Sequence, residues 1–137
     1  MPTIKITAGP HVFKAKLLNA QAPQTCAEFL KLLPFKQKLI QARWSGQSAW
    51  IPLGEMKINV GMENQTSKPA PGEILFYPGG ISETEILFPY GKTVFACKDG
   101  ILEGNSFLKI VEGNEQLEKL GELVLWKGAQ DIVFELE

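Results

Sequence analysis

Histidine is almost missing from this chain. His11 is the only one, and the two cysteines, Cys26 and Cys97, lie far apart. A zinc knuckle or a disulfide framework needs more of these residues at closer spacing, so neither is expected and no metal or cofactor is read from the sequence. An excess of one charge is also lacking: 14 basic residues face 15 acidic ones, for a net charge of −1. Nucleic-acid binders carry a basic stripe, whereas the densest basic positions here, Lys14, Lys16, Lys36 and Lys38, form no run. No apolar stretch approaches the ~18 residues of a membrane span, and no apolar leader follows Met1-Pro2-Thr3. The expectation is a cytoplasmic protein with reduced thiols and with neither nucleic acid nor membrane as partner.

What is present is a packable chain. Hydrophobic residues make up 45% of its 137 positions and charged residues 21%, the profile of one globular domain spanning residues 1–137. Residues 3–7 alternate apolar and polar, Ala8-Gly9-Pro10 breaks the run, and 11–18 resume it, which is a hairpin signal. Cys26, Phe29, Leu30 and Leu33 follow at helical spacing, with Pro23 suited to the first turn and Pro34 expected to stop the helix. Strands are expected at 39–44 and 47–53 around Ser45-Gly46. The punctuated stretch 54–72 reads as a long loop, with one short strand at 57–60. Further strands are expected at 73–77, 84–88, 93–97, 106–111 and 131–136, with turns at Pro78-Gly79-Gly80, Pro89-Tyr90-Gly91 and Asp99-Gly100. Asn114 is placed to cap a second helix carrying Leu117, Leu120 and Leu123 or Val124, which Gly128 ends. About eight strands and two helices that do not alternate with them point to a barrel or sandwich. Trp50, Trp126, Cys26 and the eight phenylalanines are assigned to the core.

The segment Ala22-Pro23-Gln24-Thr25-Cys26-Ala27-Glu28-Phe29-Leu30, entered from a hairpin, resembles the first helix of the cyclophilins, and the order of elements is similar. That resemblance implies a mostly β fold: a cyclophilin-like closed eight-stranded barrel capped by two helices. A second resemblance covers nearly the whole chain. It is carried by Ala42-Arg43-Trp44-Ser45-Gly46, Glu63-Asn64-Gln65-Thr66, Pro71-Gly72-Glu73-Ile74, Tyr77-Pro78-Gly79-Gly80-Ile81-Ser82-Glu83-Thr84-Glu85-Ile86 and Tyr90-Gly91. These are similar to an uncharacterised family of small bacterial and archaeal cyclophilin-like proteins with no assigned reaction. The chain departs from the prolyl isomerases where their activity lies, since their Phe-His-Arg-Ile and Phe-Met-Gln-Gly-Gly-Asp runs are not found.

Candidate chemistry gathers near the turns. Arg43 and Trp44, as neighbours on a strand, are expected to face opposite ways, with Arg43 offering its fork of donors to a carboxylate or carbonyl. The bland alternative is a barrel-stabilising ion pair. Glu63, Asn64 and Thr66 can supply oxygen ligands or, more plainly, local turns. The two glycines after Tyr77 let backbone approach a partner closely, and Glu83 and Glu85 sit two apart on one strand face, as acid–base pairs do. A solvated acidic hairpin is the alternative. Together with Tyr77 and Tyr90 these residues make the expected pocket for a small-molecule or peptide-like ligand. The alternatives are a weak peptidyl-prolyl isomerase and a non-catalytic oligomerising or partner-binding module, the latter because the fold that the resemblance implies also occurs in subunits of amide- and urea-derivative hydrolases.

Overall fold

The computed structural model describes residues 3–137. Strand β1 (Thr3–Ala8) and β2 (His11–Leu17) form the expected hairpin, turning at Gly9-Pro10, and Ala8 pairs with His11. Helix α1 (Pro23–Leu30) follows, then β3 (Phe35–Gln41), β4 (Gly46–Gly54), the two-residue β5 (Gln65–Thr66), β6 (Glu73–Tyr77) and β7 (Thr84–Thr93). A ribbon of β8 (Ala96–Cys97) and β9 (Gly100–Ile101) precedes β10 (Gly104–Glu112). A 3-10 turn at Asn114–Gln116 leads into α2 (Leu117–Lys127), and β11 (Gln130–Leu136) is last.

Pairing runs β2-β1-β11-β3-β4-β7-β6-β10 and returns from β10 to β2, all antiparallel. The eight strands therefore close into a barrel, as expected. The short β5 adds to β10 outside this ring, and β8–β9 form a separate ribbon.

Period-two alternation sends one face of every strand inward. Ile4, Ile6, Phe13, Leu39, Ile51, Phe76, Phe88, Phe107, Ile110 and Phe134 fill the interior with nearly no exposure. All eight phenylalanines are buried, and Phe29 of α1 meets Phe35, Phe107 and Phe134 edge-on at 4.9–6.2 Å between centroids. Phe35 and Phe134 are cross-strand partners at one mouth of the barrel, which α1 covers. At the other mouth α2 lies against β3, β4 and β7 and buries Leu117, Leu120, Gly121 and Val124. Gly121 is there for a steric reason: a methyl group on it would sit 2.1 Å from the Tyr90 ring.

Several expectations are corrected. The first helix ends at Leu30, short of Pro34, and the next strand runs Phe35–Gln41 because it pairs mainly with β11. Residues 57–60 are not a strand. Pro89-Tyr90-Gly91 is not a turn: β7 continues through it, and Gly46 to Ser48 on β4 span the same ladder as Thr93 to Pro89 on β7, so Tyr90–Lys92 form a bulge. The second helix is entered from Gly113, and the Asn114 side chain bonds the Ile110 carbonyl rather than capping it. Trp126 is 77% exposed, because it falls opposite the buried stripe of α2.

Candidate functional site

The outward faces of β4, β7 and β6 are also covered. Trp50 pairs with Leu87 and Leu87 with Leu75, while Glu85 pairs with Pro52 on one side and Tyr77 on the other. Leu75, Tyr77, Leu87, Phe95 and Leu102 make a second, smaller apolar cluster, against which Trp50 and Cys97 pack. The chain from Val94 to Leu102 lies over this face. It is tied down by Ser45, whose hydroxyl accepts from the Ala96 N–H (3.0 Å) and donates to its carbonyl (3.2 Å), and whose carbonyl accepts from Val94 N–H.

Where this cover stops short, a cleft of about 320 Å³ remains. Its walls come from three segments: Arg43, Trp44, Ser45 and Trp50; Ile81, Ser82, Glu83 and Glu85; and Cys97, Lys98 and Asp99 of the ribbon. Arg43 and Trp44 sit in a bend between β3 and β4, not on a strand. The expected opposition of their side chains therefore fails: both line the cleft, with the guanidinium 5.7 Å from the Trp44 ring centroid, within cation–π range.

The second wall depends on Gly79 and Gly80. Their φ angles of +93° and +135° lie where side chains are strained. The Tyr77 hydroxyl holds the turn by accepting from the N–H groups of Ile81 (3.0 Å) and Ser82 (3.3 Å). Thr84 anchors its far end by donating to the Met56 carbonyl at 2.8 Å. Tyr77 thus shapes the cleft from beneath without lining it.

Glu85 is the unusual group. Only 6% of it is exposed, and its carboxyl makes no hydrogen bond or ion pair among the described residues. Loss of solvent, then repulsion from Glu83, pushes its pKa up to about 8. Cys97 is a free, half-buried thiol on the opposite wall.

Of the nine residues singled out from sequence, the structure brings Arg43, Trp44, Glu83 and Glu85 into this cleft and sets Tyr77 behind it. The other four lie elsewhere. Glu63 accepts from the Thr25 N–H at 2.7 Å, capping α1, whose own N-cap, Ala22, has no side-chain acceptor. Asn64 adopts a left-handed φ of +54° and donates to the Ser106 carbonyl, and the Thr66 hydroxyl accepts from Lys68 N–H in a local turn. The buried Asn105, which no sequence pattern marked, joins these to the helix: it accepts from Glu63 N–H and donates to Thr25 Oγ1 and the Gly61 carbonyl. Tyr90 donates to Gln41 Oε1 at 2.7 Å under α2, and burial raises its pKa. Trp50, Cys97, Lys98 and Asp99 are cleft residues that local reading missed. Cys26 is in the core, donating to the Phe107 carbonyl, with burial pushing its thiol up to about 11. No helix among the described residues is long and apolar enough to cross a membrane.

A closed antiparallel barrel with a helix at each mouth is a cyclophilin-like barrel, and solved structures share it. The chain superposes on a cyclophilin-type peptidyl-prolyl cis-trans isomerase of Cryptosporidium parvum, determined in the presence of the dipeptide alanyl-proline, with a TM-score of 0.61 and 16% identity, over 98% of each chain. A hypothetical protein of Archaeoglobus fulgidus matches at TM-score 0.61 and 19% identity, over 99% of this chain and 95% of that one. McbB in complex with tryptophan matches at TM-score 0.69 and 14% identity, over 96% of this chain; the match spans 44% of McbB, under half its length. No curated protein matches the sequence. At the level of family the assignment is direct: residues 4–136 match the family described as "Protein of unknown function (DUF3830)", and the chain belongs to it.

Proposed function

We propose that this barrel binds a small polar or peptide-like ligand in the cleft on its outer face, with Arg43 holding a carboxylate or carbonyl. The observation that carries this is the convergence of Arg43, Trp44, Glu83 and Glu85, separated by some forty residues in sequence, on one cleft with Trp50 as an apolar wall. A concave, partly apolar site with a few convergent polar groups and a perturbed pKa is the usual form of a small-molecule site, and about 320 Å³ suits a small ligand. Arg43 makes no ion pair among the described residues, so its donors are available. That McbB is found with tryptophan, and the isomerase with a dipeptide, supports a ligand of similar scale for this fold.

Trp44 and Trp50 report on occupancy, while Trp126 is remote on α2. Titration with phenylpropionate, phenylalanine and alanyl-phenylalanine is expected to change tryptophan emission. Arg43→Ala is expected to weaken the best binder roughly tenfold or more, the worth of a charge-assisted hydrogen bond. No emission change or binding heat with any of the three, up to about 10 mM, overturns the reading.

The guanidinium beside an aromatic ring also supports a second reading, prolyl isomerisation. It requires that Arg43→Ala abolish acceleration in a protease-coupled peptide assay; a wild-type rate equal to the uncatalysed one disposes of it.

A further inference from the structure

The cleft is electrically divided. Arg43 enters it from the bend before β4, where Gly46 pairs with Thr93, whereas Glu85 lies near the far end of the same strand pair, opposite Pro52. Six residues of β4 separate these positions, about 20 Å of backbone at strand rise, and Trp50 stands between them. The long Arg43 side chain bridges part of that distance into the cleft.

Glu85 lines this cleft and has no hydrogen-bond partner among the described residues. Pro52, its β4 partner, carries no polar side-chain atom, and the hydroxyl of Tyr77, its β6 partner, accepts from the glycine turn and makes no hydrogen bond to Glu85. The charged and titratable groups that share the cleft with it are Glu83 from its own segment, Arg43 from the bend, and Cys97, Lys98 and Asp99 from the ribbon. Glu85 is 6% exposed as a residue, and a carboxyl so largely desolvated and without a protein partner favours a ligand that supplies one. Two carboxyls side by side call for a cation, and the free guanidinium calls for an anion.

Resting on the reading above, we infer that the Glu83–Glu85 end receives an ammonium group while Arg43 holds the carboxylate of the same ligand, so the ligand class is a zwitterion of dipeptide size with its apolar body on Trp44 and Trp50. Binding then strips the proton from Glu85 and is linked to pH.

The test compares alanyl-phenylalanine with its N-acetyl derivative and with its C-terminal amide, by tryptophan emission and calorimetry, on the full chain. The free dipeptide is expected to bind at least about tenfold more tightly than the N-acetyl form and to gain several-fold in affinity from pH 6 to 7.5. Protons should be released to buffer as it binds. Glu85→Gln should remove the pH dependence and reduce the preference for a free amine, which Glu83 then carries alone, while leaving the preference for acid over amide. Equal binding of the free and N-acetylated dipeptides, or a pH dependence unchanged in Glu85→Gln, overturns the inference and leaves the Arg43 reading standing. Failure of all three compounds to bind overturns both.

Discussion

Strands β4, β7 and β6 offer two faces to compare. Inward, Ala49, Ile51, Phe76, Ile86 and Phe88 meet only apolar neighbours, Phe88 packing edge-on against Phe13 and Phe76 against Phe107. Outward, one residue out of phase, stand Ser48, Trp50, Leu75, Tyr77, Glu85 and Leu87. Exposure alone separates them little, since Ser48, Leu75 and Leu87 have 1% or less and Glu85 6%. What differs is the cover. The inner face is sealed by other strands and two helices, which leave its side chains nearly without exposure. The outer face is covered by a ribbon of two two-residue strands and a glycine turn, which leave a gap lined by Glu85. Among the described residues Glu85 has no partner, and neither has the Ser48 hydroxyl, which lies on the same face outside the gap. Ring closure supplies the fold, and the imperfect second layer leaves the candidate cleft.

Neighbours on β7 test this division most strongly. Phe88→Ala, facing in, should cost about 3–5 kcal/mol, and Leu87→Ala, facing out, about 2–3 kcal/mol, read from denaturant unfolding. Equal losses would mean that the outer layer is as integral as the core. Next comes Glu85→Gln. Its folded pKa of about 8 lies above the ordinary 4.5, so the protonated form is favoured in the folded state. The native chain should therefore lose stability relative to the variant as pH rises from about 4.5 to 8, at up to about 1.4 kcal/mol per pH unit and a few kcal/mol in all. A difference that stays constant across this window would show that Glu85 is solvated. Smallest is Ser48→Ala, which removes an orphaned hydroxyl and should be neutral or stabilising by up to about 1 kcal/mol. A loss beyond that would reveal a partner for Ser48.

The barrel was legible because alternation and turn chemistry are local. The β1–β2 hairpin, Cys26 and Phe29 of the first helix, and the Leu117–Leu120–Val124 stripe of the second follow from spacing alone, whereas Leu33 falls beyond the end of the first helix. Pro89 and Gly91 misled because the residues that make a turn also make a bulge, and the register that distinguishes the two belongs to the partner strand. The cleft was half legible for a similar reason. Arg43 and the Glu83–Glu85 pair advertise themselves near turns, but Cys97, Lys98 and Asp99 join them only through a Ser45–Ala96 contact spanning 51 positions. Glu63 looked like a ligand because an exposed-looking loop carboxylate and a helix cap are the same residue until the helix is placed beside it.

The place of β11 between β1 and β3 has a kinetic meaning. It is the last strand of the ring to leave the ribosome, and both its partners were made long before. Until it arrives the sheet has two raw edges, along Ile4–Ala8 and Phe35–Leu39, each a template for pairing with another chain. Synthesis therefore holds this barrel open through almost its whole length, and the step that ends its exposure to misassembly is the docking of one strand, Gln130–Leu136.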